Sequence, residues 1–208
     1  LPKKRKPGRA GMEEVMKSLR MILAIVLAVG MLASLAVGAE EAKKMEGEEG
    51  AMPPMGPPEE MKACAPMVGD WTFKGEWRMS PDMEWTPMTA EVTFAYELDG
   101  AVLRMDLSAE MMGMTMHGIG YTAYNRETKL WQEMWTDNLG GAISLYTGTM
   151  TEDGKRVMQG VDVWNGQEVH SRTTSSDMTD TTFKWMMEHS IDGGKSWYTG
   201  MQGTYTKK

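Results

Sequence analysis

From Trp71 onward the polarity of the chain alternates with a period of two. Val92, Phe94, Tyr96 and Leu98 fall on one face, with Glu91, Thr93 and Glu97 opposite. Successive side chains of a strand point to opposite sides, so this pattern predicts a half-buried strand. Asp99-Gly100 is a two-residue hairpin signal, and Ala101, Leu103, Met105, Leu107 and Ala109 resume the alternation with Arg104 and Asp106 on the other face. Upstream, Trp71, Phe73 and Trp77 alternate around Gly75. Further strands are predicted over 114–124, 130–136, 142–150, 157–163, 168–174, 181–189 and 196–206, separated by turn-forming clusters such as Asn165-Gly166 and Asp192-Gly193-Gly194. Gly118 and Gly120 weaken the strand they sit in but permit bending or close approach of a neighbour. Within Met111–His117, period two puts Met112, Met114 and Met116 on one face.

About ten short strands with tight turns, and no helical stretch long enough for parallel crossovers, predict an all-β antiparallel meander. Closing such a meander into a barrel removes its exposed edges. A two-sheet sandwich has the same strand pattern and remains the alternative. An outer-membrane barrel does not fit, because the polar faces carry Glu, Asp, Lys and Arg where a lipid-facing band has to be apolar. Before the first strand, Glu59–Val68 predicts one or two helical turns interrupted by Pro66, with Met61, Cys64 and Ala65 on one side, suited to capping an open barrel end.

The N-terminal part follows a different pattern. Residues 21–39 read MILAIVLAVGMLASLAVGA, without a charge, preceded by Lys17 and Arg20 and ended by Val37-Gly38-Ala39. This is the layout of a secretory signal peptide, with cleavage after Ala39. Nineteen residues of helix would also span about 28 Å, so retention as a membrane anchor is the alternative. Either outcome places the domain outside the cytoplasm, in the periplasm or beyond. Leu1 opens the sequence and Met12, Met16 and Met21 follow, which leaves the true start open. Residues 40–60 combine Glu, Gly and Pro without an aromatic or β-branched residue and are expected to form a disordered acidic linker. The β domain is expected over 61–208.

Charge divides along the same boundary. Residues 1–39 carry seven basic and two acidic side chains, whereas residues 40–208 carry fifteen basic and twenty-seven acidic ones. The acidic portion repels polyphosphate, so nucleic acid is not an expected partner. Cys64 is the only cysteine, so no internal disulfide forms and the domain depends on its core.

Four stretches resemble a bacterial family, the domain of unknown function 1579 family (DUF1579). Met61–Trp71, MKACAPMVGDW, resembles the family's opening helix leading into a Gly-x-Trp strand. Glu110–Tyr121 resembles its Met-Gly-Met strand and following Gly-x-Gly strand. Tyr124–Asp137 resembles its central turn and Trp-containing strand, and Gly200–Lys207 its closing strand. The resemblance covers residues 61–208 and implies a single lipocalin-like β barrel; it brings no activity with it. It also extends to haem-binding nitrobindin barrels, but Glu76, Trp77 and Arg78 do not continue their glycine pattern, so no haem ligand carries over.

Candidate chemistry is sparse. No Ser-His-Asp order, phosphate loop or zinc spacing is present, so no catalytic residue or metal ligand is assigned and no cofactor is implied. Asp192-Gly-Gly-Lys195 is a turn. His117, His170 and His189 are scattered; His189 follows Phe183, Trp185 and Met187 at period two and is expected to point inward near a barrel rim. Twenty-four methionines and eight tryptophans are the compositional oddity. Methionines can ligate copper(I), but same-face residues on a strand lie about 6.6 Å apart, and packing or an apolar pocket is the simpler use. Aromatic side chains either fill a core or wall a ligand cavity. The expected ligand-binding residues are Trp71, Trp77, Met105, Met114, Met116, Trp135, Trp185 and His189. The expected function is binding of a small hydrophobic ligand in the cell envelope. The alternatives are a packed structural or protein-interaction domain, and an enzyme of unknown class. A membrane is an expected partner only if residues 21–39 are retained.

Overall fold

The computed structural model describes residues 54–208. The expected signal segment over 21–39 and most of the expected acidic linker lie outside the described residues. Ten antiparallel strands run in chain order: β1 Gly69–Trp77, β2 Thr86–Glu97, β3 Val102–Met111, β4 Met114–Asn125, β5 Leu130–Asp137, β6 Ser144–Met150, β7 Arg156–Trp164, β8 Gln167–Ser176, β9 Thr182–Ser190 and β10 Tyr198–Lys207. Each strand pairs with its sequence neighbours, and β10 returns to β1, from Trp71 opposite Lys207 to Trp77 opposite Met201. The sheet is therefore a closed barrel with no free edge, and the sandwich alternative is excluded.

Side-chain parity follows from the sequence pattern. Met88, Ala90, Val92 and Phe94 of β2 are buried and their neighbours face outward. Two hairpins carry two-residue turns with left-handed backbone: Asn165-Gly166 between Trp164 and Gln167, and Met112-Gly113 between Met111 and Met114. The second corrects an expectation, since Met112 lies in a turn and not on a strand face with Met114 and Met116. The β2–β3 connection also differs from the expected two-residue hairpin. Pairing resumes only between Glu97 and Val102, and Leu98–Gly100 forms a short 3₁₀ turn.

Glu59–Met67 is a 3₁₀ helix, not an α-helix. Its bonds run from the Met61 amide to the Pro58 carbonyl at 3.1 Å and from the Val68 amide to the Ala65 carbonyl at 3.2 Å. Three residues per turn bring Met61, Cys64 and Met67 to one face, and these three are buried while Ala65 is exposed. The expected Met61–Cys64–Ala65 face assumed the wider α-helical period. The helix closes one barrel end. Three of its carbonyls are held from the wall: Met61 accepts from the Tyr96 hydroxyl at 2.5 Å, Pro66 from the Lys207 amine at 3.1 Å and Met67 from the Trp71 indole at 2.6 Å. Beneath it, Phe183 and Tyr205 stack at 4.3 Å and Trp71 meets Phe183 edge-on at 5.2 Å. The opposite end is formed by the β1–β2, β3–β4, β5–β6, β7–β8 and β9–β10 connections.

Candidate functional site

The barrel interior holds a cavity of about 300 Å³. Side chains just fill barrels of about eight strands, and ten strands leave more space than the core occupies here. The cavity walls differ in polarity. Phe73, Met88, Phe94, Met105, Leu107 and Phe183 form an apolar side from β1–β3 and β9. Thr122, Glu133, Tyr146, Arg156, Thr173 and Ser175 form a polar side from β4–β8. Met111, Met116, Met187 and Met201 add flexible thioethers.

The polar side centres on an ion pair. Arg156 Nη2 lies 3.0 Å from Glu133 Oε1, with side-chain exposures of 11% and 21%. The Thr122 hydroxyl also donates to Glu133 Oε1 at 3.4 Å. The Arg156 guanidinium lies 5.7 Å from the Trp131 ring centroid, and its Nη1 is 3.7 Å from Cys64 Sγ. Arg156 Nε is buried without a partner, a donor left over for another acceptor. Burial pushes the Cys64 thiol pKa up, so the neutral thiol is the resting form. Burial likewise raises the Tyr146 and Tyr205 phenols and keeps them protonated. The interior thus offers the Glu133–Arg156 ion pair, several neutral hydroxyls and the Asp137 carboxylate, which accepts from the Trp135 indole at 2.9 Å.

Four of the eight expected residues line this cavity: Met105, Met116, Trp135 and Trp185. The Trp135 ring lies over Gly118, where an added Cβ would come within 2.1 Å of it. Phe73 uses the Gly75–Gly203 pair in the same way, since a Cβ at either would meet its ring at 2.5–2.6 Å. The other four lie elsewhere. Trp71 is fully buried beneath the helix. Trp77 ends β1 and packs against the rim of the core. Met114 follows the β3–β4 turn and is exposed. His189 sits near the barrel end opposite the helix, with Nδ1 3.0 Å from the Ser171 hydroxyl and its ring against Gly200. No described histidine lines the cavity: His117 is exposed and His170 pairs with Glu168 at 2.8 Å. The cavity lining therefore includes no histidine.

Among the described residues, no group of three or more His, Cys, Asp or Glu side chains is arranged to hold a metal ion. Asp192 accepts bonds from Ser190, Lys195 and Ser196, which makes its segment the β9–β10 turn. Sequence reasoning missed Glu133 and Arg156. Period two supplied a signal for the first, because Glu133 lies between the inward-facing Trp131 and Trp135.

A family model described as a protein of unknown function (DUF1579) matches residues 56–207. No curated protein matches the chain. Among solved structures, Rv2717c from M. tuberculosis is similar with a TM-score of 0.52 at 12% identity, covering 74% of this chain and 99% of that one. An S-type phycobiliprotein lyase from Guillardia theta is similar with a TM-score of 0.50 at 11% identity, covering 71% of this chain and 91% of that one. At these identities the likeness is one of fold.

Proposed function

The chain belongs to the DUF1579 family, and we propose that its barrel binds a small amphipathic ligand after export to the cell envelope. The observation that carries this reading is the two-sided cavity. One side removes apolar surface from water, while the other presents hydroxyls and the Glu133–Arg156 pair to a polar end. A volume of about 300 Å³ lies at the lower bound of small-molecule pockets, which suits a ligand smaller than most cofactors. Solid packing would leave no such space, so the cavity favours binding over a purely structural role. The charge-free residues 21–39, with Lys17 and Arg20 before them, support delivery outside the cytoplasm. A barrel similar in fold belongs to a phycobiliprotein lyase.

The test is a titration with a fluorescent naphthalene amphiphile, read by its own emission and by quenching of interior tryptophans. Saturable one-to-one binding that is lost in Met105→Trp, a substitution that fills the cavity, supports the reading. Equal probe binding by wild type and Met105→Trp, with both folded by circular dichroism, contradicts it. Export is tested separately by sequencing the N-terminus of the protein from the envelope fraction; a start at Glu40 supports cleavage.

A further inference from the structure

The polar side of the cavity is incomplete as a hydrogen-bonding network. Glu133 lies level with its cross-strand neighbours Thr122 on β4 and Tyr146 on β6, and Arg156 lies level with Ser175 on β8. Arg156 Nη2 and the Thr122 hydroxyl both meet Glu133 at Oε1, which leaves Oε2 to accept from another donor. Arg156 directs Nη2 to Glu133 and Nη1 to the Cys64 sulfur, a weak acceptor, while Nε is buried with no acceptor at all. A charged donor left unsatisfied away from water is costly, so this one calls for an acceptor that the chain does not supply. One ion pair beside the cavity thus holds both an unused donor and an unused acceptor.

The charge of the lining narrows what can complete it. The charged side chains that line the cavity are Glu133, Asp137 and Arg156. Glu133 and Arg156 compensate each other. Asp137 is held at the end of β5 by the Trp135 indole at 2.9 Å and by the amides of Leu139 at 2.9 Å and Gly140 at 2.6 Å. The lining therefore carries one excess negative charge. An anionic ligand would enter against that charge and would have to break the Arg156–Glu133 pair to find a cation. A cationic ligand would press its charge against the Arg156 guanidinium and would offer Nε no acceptor. Such mismatches cost more in a low-dielectric interior than in water.

We propose that the barrel selects ligands whose polar end is uncharged and both donates and accepts, as an unsubstituted carboxamide on an apolar chain does. The carboxamide oxygen accepts from Arg156 Nε, and its amino group donates to Glu133 Oε2. The hydroxyls of Thr122, Thr173 and Ser175 can take either role toward the remaining positions. The chain lies against Phe73, Phe94, Met105, Leu107 and Phe183. Selection works by rejection as much as by attraction. The carboxylate of the same shape has no donor for Glu133 and adds a charge that the lining cannot compensate. The proposal rests on the ligand-binding reading and narrows it to a chemical class.

The full chain is titrated calorimetrically at neutral pH with octanamide, octanoate and octylamine, which carry chains of equal length and differ in the head group. The naphthalene amphiphile is titrated in parallel. Octanamide is expected to bind one-to-one and at least about tenfold more tightly than either ion, the factor that one hydrogen bond to a charged group supplies. Glu133→Gln keeps the side-chain shape and removes the negative charge, so that Arg156 is free to pair with an anion. This variant is expected to bind octanoate about tenfold or more tightly than the wild type does. Wild type that binds octanoate or octylamine as tightly as octanamide overturns the proposal. So does wild type that takes up the naphthalene amphiphile but not octanamide; in both cases probe binding leaves the broader reading standing. Wild type that binds neither octanamide nor the amphiphile overturns both. An unchanged ratio of amide to acid affinity in folded Glu133→Gln also overturns the proposal, and if that variant does not fold, the head-group series on the wild type decides.

Discussion

Replacing Arg156 with Met leaves the Glu133 carboxylate inside the barrel with a single long hydrogen bond from Thr122. Removing one partner of a buried ion pair costs about 3–5 kcal/mol, chiefly because the remaining charge is poorly solvated. Glu133 retains about a fifth of its exposure and borders a cavity that can admit water. The lower bound, about 3 kcal/mol, therefore applies. Met preserves much of the aliphatic stem near Trp131, which limits the packing loss. For a domain of this size each kcal/mol moves the melting temperature by about 2–4 °C, so Arg156→Met is expected to melt about 6–12 °C below wild type. The double variant Glu133→Leu/Arg156→Met removes both charges and is expected to recover most of that loss. Urea unfolding followed by tryptophan emission, with the melt followed by circular dichroism, measures both variants. A single variant that loses less than about 1 kcal/mol, or a double variant less stable than the single, would refute the idea of a coupled internal pair.

Gly118→Ala places a Cβ in the Trp135 ring and is expected to cost about 1–3 kcal/mol and to weaken probe binding, both readable in one titration and one melt. Trp71→Phe removes the indole donor to Met67 and is expected to lose about 1 kcal/mol, with faster hydrogen exchange confined to Glu59–Met67 and its neighbours. His189 gives a pH prediction. Burial lowers its pKa, opposed by Asp162, so below about pH 6.5 the unfolded chain takes up a proton that the folded chain resists. Stability is therefore retained above that pH and falls below it, by up to about 1.4 kcal/mol per pH unit. Urea midpoints between pH 5 and 8 should show a slope that His189→Gln flattens.

The barrel was legible in the sequence where the alternation was strict and the turns were conventional. Val92–Phe94 and Leu103–Ala109 announce an inward face, and Asn165-Gly166 announces its hairpin because those residues adopt left-handed backbone readily. The Met112-Gly113 turn was hidden because methionine carries no turn signal. Leu98 was equally misleading, since an exposed apolar residue with positive φ extends the apparent period. The cavity was only half legible. Composition pointed to aromatics and methionines, but strand position decided which of them reach the interior. Trp71 belongs to the capped end, and Met114 stands beyond the rim. Glu133 and Arg156 escaped because a charged residue is ordinarily assigned to the solvent face, and their pairing depends on a register across β5, β6 and β7.

The central claim is that the interior holds a small molecule. Native mass spectrometry of the protein, purified from the cells that make it and compared with Met105→Trp prepared identically, tests it most directly. A reproducible one-to-one adduct is expected on the wild type and is absent from Met105→Trp. A wild type that is consistently free of adduct, or an adduct of equal abundance on both, would contradict it.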